Sequence, residues 1–561
     1  MRYLMWSLFA LSMSMGLFAE GPAELTVKDV GKIMNTMFEE HVSQKKMTDS
    51  IMEHAVELFV NEFDVHHEYL LASEVAPFFN LSETKIATLV HQYEFADYSF
   101  FEKMMKQFQT AIYRARGIRK KIETSMRKYP ENLIPSNSLP FPETLEALTS
   151  RITARLVQLI SAKQQEKITP QKAIQEVENA FAVFEDNYLY VDKNGKPLSS
   201  RETENLFAFH LIRAFTKSLD AHSSFLNPEE ANSLKQRLEA GTVESSFEKV
   251  PGGIIGKIIL HSFYEGSNEV SSERDIKNAI EQLSKQGPII GLVLDLRDNR
   301  GGFLLQAVKV AGLFIKSGVI VISKTADGKK HYFRDMDSSV TYSGPLVILT
   351  SKATASAAEI VAQSLKDYGE AIIVGDEHTY GKGTLQMQTV TGKESDQLYK
   401  ITVGRYYSVS GDSTQLDGVK ADIVVPSIYF YQKLGEKYLA SPVSEDSVPP
   451  AFDDRLVDID PSMKEWYIQH YLPDQQKQIT VYKKEIPELQ KRSTARIQAN
   501  AEYQRCLNKL AQDCAQKQSV SPTNEQTQNE VKDLQLQEAV NVLKDIIQLS
   551  KNKKDASIMI K

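Results

Sequence analysis

Cysteine is almost absent from this chain, which has two, Cys506 and Cys514, among 561 residues. One disulfide is therefore the most it could form. The two cysteines are eight positions apart, so on a continuous helix they would lie roughly 12 Å from each other, too far to pair. Either the helix breaks and a disulfide forms, or both remain free or partly buried thiols. The sequence leaves these alternatives open.

A basic excess is also missing, since 66 lysines and arginines stand against 73 acidic residues, for a net charge of −7. This balance gives no reason to expect a nucleic-acid partner, and the sequence has no helix-turn-helix or RNA-binding signature. The eleven histidines show neither the spacing of a metal site nor a pattern typical of a histidine-based triad. We therefore expect no nucleic acid, no metal and no cofactor.

Long apolar runs are limited to one stretch, residues 3–18, which is short for a membrane span. Arg2 precedes the run and Ala19 follows it, the pattern of a signal peptide over residues 1–19. Cleavage after Ala19 is expected, although Leu17 is a poor residue at the third position before the cut. No cysteine follows, so no lipid anchor is indicated, and no membrane span is expected after cleavage.

Of the residues, 42% are hydrophobic and 25% are charged. A chain of this length and composition can form two to four domains with substantial cores. Helical periodicity predicts a helical N-terminal domain over 20–190 and a helical segment over 191–250. Short apolar runs between helical patterns predict an α/β core over 251–428. A charged, helical region follows over 429–561. The predicted strands of the core are Ile254–Leu260, Ile289–Leu294, Leu346–Leu349, Ala371–Val374 and Tyr399–Val403.

Ser356 and Lys382 are the candidate catalytic pair. Ser356 stands between alanines at the start of a predicted helix, and a strand and a loop then bring the chain back to Lys382. Unpaired N–H groups and the positive end of the helix dipole at such a start can stabilise an oxyanion. The structural alternatives are a helix N-cap for the serine and a solvated turn for the lysine. A phosphate-binding loop is excluded, because Gly375 to Gly381 encloses five residues rather than four and Gly383 follows the lysine.

A second glycine site lies upstream, in Asp295-Leu-Arg-Asp-Asn-Arg-Gly-Gly302. A buried strand breaks here into a Gly-Gly turn, after which a helical pattern begins at Leu304. Gly301 and Gly302 could direct backbone N–H groups into a cavity, although a Gly-Gly pair is often only a tight turn.

These three segments resemble the C-terminal processing, or tail-specific, serine proteases. The matching motifs are Asp295-Leu-Arg-Asp-Asn-Arg-Gly-Gly302, Thr354-Ala-Ser-Ala-Ala-Glu-Ile360 and Tyr380-Gly-Lys-Gly-Thr-Leu-Gln386. Leu219-Asp-Ala-His-Ser-Ser-Phe225 and the stretch around Leu70–Val75 are similar to further segments of the tail-specific branch. The resemblance implies an α/β protease core, a crotonase-like/ClpP-like mixed sheet with helices, flanked by helical N-terminal and C-terminal regions.

The resemblance also implies residue roles. Ser356 would be the nucleophile, Lys382 its general base and Gln386 the residue that orients the base. The oxyanion hole would combine the backbone N–H of Ala357 with one from the Gly301-Gly302 turn. A lysine with its ordinary pKa near 10.4 is almost fully protonated at neutral pH, so the base role requires burial to lower that pKa.

One departure from the family pattern concerns residues 240–251, where relatives carry a whole PDZ domain. A dozen residues cannot form that fold, so we expect the PDZ domain, and the tail recognition that it provides, to be missing from this chain. The resemblance implies a periplasmic serine endopeptidase that acts on unfolded or C-terminally exposed proteins, with an adaptor protein as a candidate partner. The alternatives are a catalytically silent peptide-binding or scaffolding protein of the same fold and an acyl-CoA enzyme of crotonase-like architecture.

Overall fold

The structure, a computed structural model, describes residues 24–123, 139–164, 166, 168–267, 270–390, 398–479, 482–515 and 525–559. The predicted leader, residues 1–19, lies outside them. The chain forms two compact units. The first takes in the chain up to Ala231 together with Met387–Ile401, and the second holds Asn232–Gln386, Thr402–Lys517 and Thr523–Lys561.

Helices make up most of the first unit. They are α1 (Val27–Glu40), α2 (Asp49–Phe63), α3 (Ala72–Val75), α4 (Glu83–Glu94), α5 (Ser99–Glu123), α6 (Leu145–Gln164), α7 (Pro170–Leu189) and α8 (Ser200–Lys217). Side chains of Thr48, Ser82, Thr169 and Ser199 accept backbone N–H groups and cap four of these helices. The short strand β1 (Ser224–Phe225) pairs antiparallel with the start of β10 (Tyr399–Ser408).

Buried aromatic rings and a buried ionic cluster hold the first unit together. Phe63 stacks on Phe108 with ring centroids 4.3 Å apart. Glu185 is fully buried and accepts hydrogen bonds from Arg116 and Arg119, each at 2.6 Å. Its charge is therefore compensated, as a buried carboxylate requires.

The second unit contains a six-stranded sheet in the order β11-β8-β7-β4-β3-β2. Its strands are β2 (Val243–Val250), β3 (Gly253–Leu260), β4 (Ile289–Asp295), β7 (Leu346–Thr350), β8 (Ala371–Gly375) and β11 (Ile423–Val424). All pairs are parallel except β2 with β3. The central strands β4, β7 and β8 are almost wholly buried, which explains their continuous apolar sequences.

A second sheet, with antiparallel pairing of β1 to β10, β10 to β5 and β5 to β6, has the order β1-β10-β5-β6, with β9 also paired to β10. The other strands of this sheet are β5 (Gly318–Thr325), β6 (Lys330–Asp335) and β9 (Thr384–Gln388). Together with the helices, the two sheets confirm the predicted α/β core. The helices of this unit are α9 (Pro228–Glu239, which begins in the first unit), α10 (Ser272–Ser284), α11 (Leu304–Gly312), α12 (Ala357–Tyr368), α13 (Pro461–His470), α14 (Ile486–Ala499), α15 (Ala501–Ala515) and α16 (Glu525–Met559).

Both faces of the six-stranded sheet are covered. One face packs with α10, α11, α12 and β5, and the other with α14, α15 and α16. Each large apolar side chain buried in these layers contributes about 1.5–3 kcal/mol of favourable transfer free energy. The layers therefore fix the ends of β4 and β7, from which the candidate site is built.

Helix α15 runs unbroken through both cysteines, and both are free thiols. The Cys506 Sγ lies 3.6 Å from Glu530 Oε2, and the Cys514 Sγ 3.0 Å from the carbonyl oxygen of Tyr431. The sequence left open either a disulfide or two free thiols, and the structure has two free thiols.

Residues 243–250, within the predicted helical segment, form the edge strand β2 and pair with β3 over all eight positions. In the described residues, no helix is both long enough and apolar enough to cross a membrane.

Candidate active site

Ser356 lies at a sharp turn between β7 and α12. It is the residue before the first turn of the helix, with φ 58° and ψ −120°. This conformation is typical of the first central position of a type II′ turn, where glycine dominates. The residue types Ser356 and Glu359 match a capping box, yet the Ser356 hydroxyl accepts no cap hydrogen bond, and the N–H of Glu359 donates to the Ser356 carbonyl oxygen at 2.8 Å. The hydroxyl is therefore not used as a helix cap.

Glu359, one helical turn after Ser356, connects the two candidate catalytic segments. Its Oε2 accepts the backbone N–H of Ser356 at 2.8 Å and that of Lys382 at 3.0 Å. Its Oε1 accepts the Thr379 hydroxyl at 2.5 Å and the Gly381 N–H at 2.7 Å. The structure thus brings the serine and lysine segments, far apart in the chain, to one carboxylate.

Burial dominates the electrostatics of this carboxylate. The Glu359 side chain is wholly inaccessible to solvent, and burial raises its pKa to about 7. The four hydrogen bonds that it accepts lower the pKa, but by less than burial raises it. Sequence reasoning missed Glu359, although a glutamate three positions after a serine at a helix start is a recognisable capping pattern.

The main chain of the Lys382 loop is fixed on both sides. The carbonyl oxygen of Lys382 accepts hydrogen bonds from the Tyr406 hydroxyl and from the Thr414 hydroxyl, the latter at 3.1 Å. The N–H of Gly383 donates to Gln415 Oε1 at 2.7 Å. The Lys382 N–H is held by Glu359, so the main chain of this residue is fixed at both its N–H and its carbonyl oxygen.

Gln386, the predicted orienting residue, lies on β9. Its Nε2 donates to the hydroxyls of Thr384 at 3.0 Å and Thr402 at 3.3 Å. The threonines therefore set the orientation of the amide and direct its nitrogen to themselves. Its oxygen is the atom that suits an amine donor such as a lysine.

The Gly301-Gly302 turn lies directly against the candidate nucleophile. A Cβ added to Gly301, whose φ is +95°, would lie 2.7 Å from Ser356 Cβ and 3.0 Å from the backbone nitrogen of Ala357. The Ala355 N–H also donates to the carbonyl oxygen of Asn299 at 3.0 Å. The structure thus brings this turn and the serine segment together.

The two glycines differ in their hydrogen bonding. The N–H of Gly301 donates to Asn299 Oδ1 at 2.8 Å and is therefore occupied. Within the described part of the chain, no hydrogen bond engages the N–H of Gly302 or that of Ala357. These two N–H groups are the ones available to an oxyanion, whereas the sequence could not distinguish the glycines.

The described residues contain no group of three or more His, Cys, Asp or Glu side chains that could hold a metal ion. The chemistry that this arrangement can support comes from a hydroxyl, an amine and backbone N–H groups. Such a set suits nucleophilic attack with a side-chain base.

Comparison with known proteins gives two matches to family models. Residues 254–425 match Peptidase family S41, and residues 33–229 match the tail specific protease N-terminal domain. The first match contains Ser356, Lys382, Gln386 and the Gly301-Gly302 turn.

Two curated relatives illustrate the similarity. A tail-specific protease of Haemophilus influenzae is 36% identical over 223 residues, which cover 39% of this chain and 31% of the relative. A chloroplastic C-terminal processing peptidase of Tetradesmus obliquus is 36% identical over 169 residues, 30% of this chain and 34% of the relative. The chain thus spans about a third of the length of these relatives. The solved photosystem II D1 C-terminal processing protease aligns at 29% identity over 34% of this chain and 50% of that chain, with a TM-score of 0.29.

Proposed function

We propose that this chain, whose residues 254–425 match Peptidase family S41 and whose residues 33–229 match the tail specific protease N-terminal domain, is a serine endopeptidase with a Ser356/Lys382 dyad. The observation that carries this proposal is the convergence of the Ser356 and Lys382 backbone N–H groups on Oε2 of Glu359. That carboxylate keeps the nucleophile and the base in one place, which a shared catalytic step requires.

In the proposed reaction, the Ser356 hydroxyl attacks a peptide carbonyl carbon while the neutral amine of Lys382 takes the hydroxyl proton. The N–H groups of Ala357 and Gly302 stabilise the oxyanion that forms. Lys382 then returns the proton to the leaving amine, and the acyl-enzyme remains on Ser356. Water attacks this ester with Lys382 again as base, which releases the second product. Gln386 orients the amine through its amide oxygen.

The proposed substrates are unfolded or C-terminally exposed proteins. The names of the relatives, a tail-specific protease and a C-terminal processing peptidase, support this class. An extended chain also fits a narrow site by adding to a strand, a common mode of peptide recognition. Export to the periplasm is part of the proposal and is supported by the leader pattern of residues 1–19.

The test is to incubate the purified protein with an unfolded protein that carries an apolar C-terminal tail and to follow fragmentation. Ser356→Ala and Lys382→Ala are the matched variants. Fragmentation by the wild type alone is the expected result. Binding of the unfolded protein without cleavage by the wild type would contradict the proposal and favour the scaffolding alternative.

Localisation needs a separate measurement. Expressed in a Gram-negative host, the full chain should be recovered in the periplasmic fraction with a mature N-terminus at Glu20. Recovery in the cytoplasm with residues 1–19 retained would contradict export.

A further inference from the structure

Tyr406 on β10 makes two hydrogen bonds to the main chain of the loop that carries Lys382. Its hydroxyl donates to the carbonyl oxygen of Lys382. Its backbone N–H donates to the carbonyl oxygen of Gly383 at 2.9 Å. One residue therefore holds the carbonyl oxygens of both Lys382 and Gly383.

The direction of these hydrogen bonds follows from the single proton of the tyrosine. The side chain is 2% exposed, and burial raises the pKa of Tyr406 well above its ordinary value, so the hydroxyl keeps its proton at working pH. That proton is donated to the Lys382 carbonyl oxygen. The Thr414 hydroxyl lies 3.3 Å from the tyrosine oxygen and donates to the same Lys382 carbonyl oxygen at 3.1 Å.

We infer that Tyr406 is a positioning residue of the active site, which fixes the main chain that carries Lys382 and thereby sets the place of the base relative to Ser356. This inference rests on the proposed function and deepens it. The tyrosine touches no reacting atom of a substrate, since its ring is packed in the core of the second unit. Its contribution is geometric: small displacements of a nucleophile from its base reduce the rate strongly, by up to roughly a hundredfold for about 1 Å.

The next residue on the same strand supplies a matched control. Tyr407 is fully buried, and its hydroxyl donates to Asp446 Oδ1 at 2.6 Å, away from Ser356 and Lys382. Tyr406→Phe and Tyr407→Phe each remove one buried phenolic hydroxyl from β10. Similar losses of stability are therefore expected, and they can be compared by urea unfolding.

The experiment measures the rate at which a fluorophosphonate reagent labels Ser356, together with kcat and KM for an unfolded substrate. Tyr406→Phe should lower the labelling rate and kcat by roughly 10- to 100-fold and leave KM within about twofold. Tyr407→Phe should keep wild-type kinetics. A labelling rate for folded Tyr406→Phe within about twofold of wild type, or an equal loss in Tyr407→Phe, would overturn the inference.

A second variant and the activity of the wild type separate a failure of this inference from a failure of folding or of the proposed function. Should Tyr406→Phe fail to fold, Thr414→Val removes a neighbouring hydroxyl from the same network and should lower the labelling rate by roughly 3- to 10-fold with KM unchanged. An unchanged rate in Thr414→Val would then overturn the inference. A wild-type protein that neither labels nor cleaves would overturn the proposed function, and the role of Tyr406 with it, whereas a reactive wild type with unaffected variants overturns the inference alone.

Discussion

The carboxylate of Glu359 accepts the backbone N–H of Lys382 at 3.0 Å across 23 positions of sequence. The same oxygen accepts the N–H of Ser356, so both segments of the candidate dyad depend on one buried acceptor. The loop that carries the lysine is therefore not free to move independently of the serine.

Replacement of Glu359 by alanine should disable the site and destabilise the fold. Four donors lose their acceptor in a buried place, and we expect the free energy of unfolding to fall by about 2–4 kcal/mol. Proteolysis should fall with it, measured on an unfolded substrate at a temperature where the variant is folded. The control is Glu370→Ala, which removes a partly buried carboxylate that accepts one hydrogen bond from Gln476. An equal loss in both variants would argue against a special role for Glu359.

Stability should depend on pH through this carboxylate. Burial raises the pKa of Glu359 to about 7 from an ordinary value of 4.5. The folded protein therefore holds a proton that the unfolded chain releases. The stability linked to this proton is complete below about pH 4.5 and is lost as the pH rises through about 7. Glu359→Gln cannot ionise and lacks this dependence.

Urea unfolding at about pH 5 and about pH 8 tests the sign. Wild type should lose more stability than Glu359→Gln as the pH rises. The pKa of Glu68, also raised to about 7 by burial, contributes equally to both proteins and cancels in the comparison. Parallel pH profiles would show that Glu359 does not titrate in this range.

Gly301→Ala should remove activity because of its position rather than its backbone conformation. Both Gly301 and Gly328 have positive φ, +95° and +82°, so alanine at either costs about 1–2 kcal/mol. Only at Gly301 does the new Cβ meet Ser356, whereas nothing lies within 4 Å at Gly328. Peptidase assays should therefore show loss for Gly301→Ala and near-normal activity for Gly328→Ala. Normal activity in both would contradict the placement of the turn.

Gln386→Glu should shift the pH dependence of proteolysis upward. A negative charge beside the Lys382 amine favours its protonated form, so more alkaline solution is needed to obtain the neutral base. We expect the acidic limb of the rate profile to move up by about one pH unit or more. Gln512→Glu adds the same charge on the exposed side of α15 and should leave the profile in place. A profile that stays fixed in Gln386→Glu would remove Gln386 from contact with the base.

Four of the five predicted strands have continuous apolar runs, whereas the fifth, in β10, has an alternating sequence, and the buried apolar strand β5 was not predicted. β3, β4, β7 and β8 are buried on both faces or nearly so, and burial leaves a direct trace in composition. The sequences of β2 and β6 have no continuous apolar run, because β2 is a largely exposed edge strand and β6 is only partly buried. Their formation depends on pairing partners that no local pattern shows.

Within the site, the motif residues could be recognised but their partners could not. Tyr406 reaches Lys382 from 24 positions away through a hydroxyl, and Asn299 decides between Gly301 and Gly302 through an amide oxygen. Such contacts follow from tertiary packing, which local periodicity does not record. The roles assigned to Ser356, Lys382 and Gln386 stay predictions until the variants are assayed.

The backbone of Ser356 has a consequence for how this site persists. Glycine adopts φ 58° and ψ −120° with little strain, whereas the Cβ of a serine costs about 1–2 kcal/mol in this conformation. Ser356→Gly would relieve this strain and remove the hydroxyl of the proposed nucleophile in one change, so fold stability and the proposed reactivity oppose each other at this position.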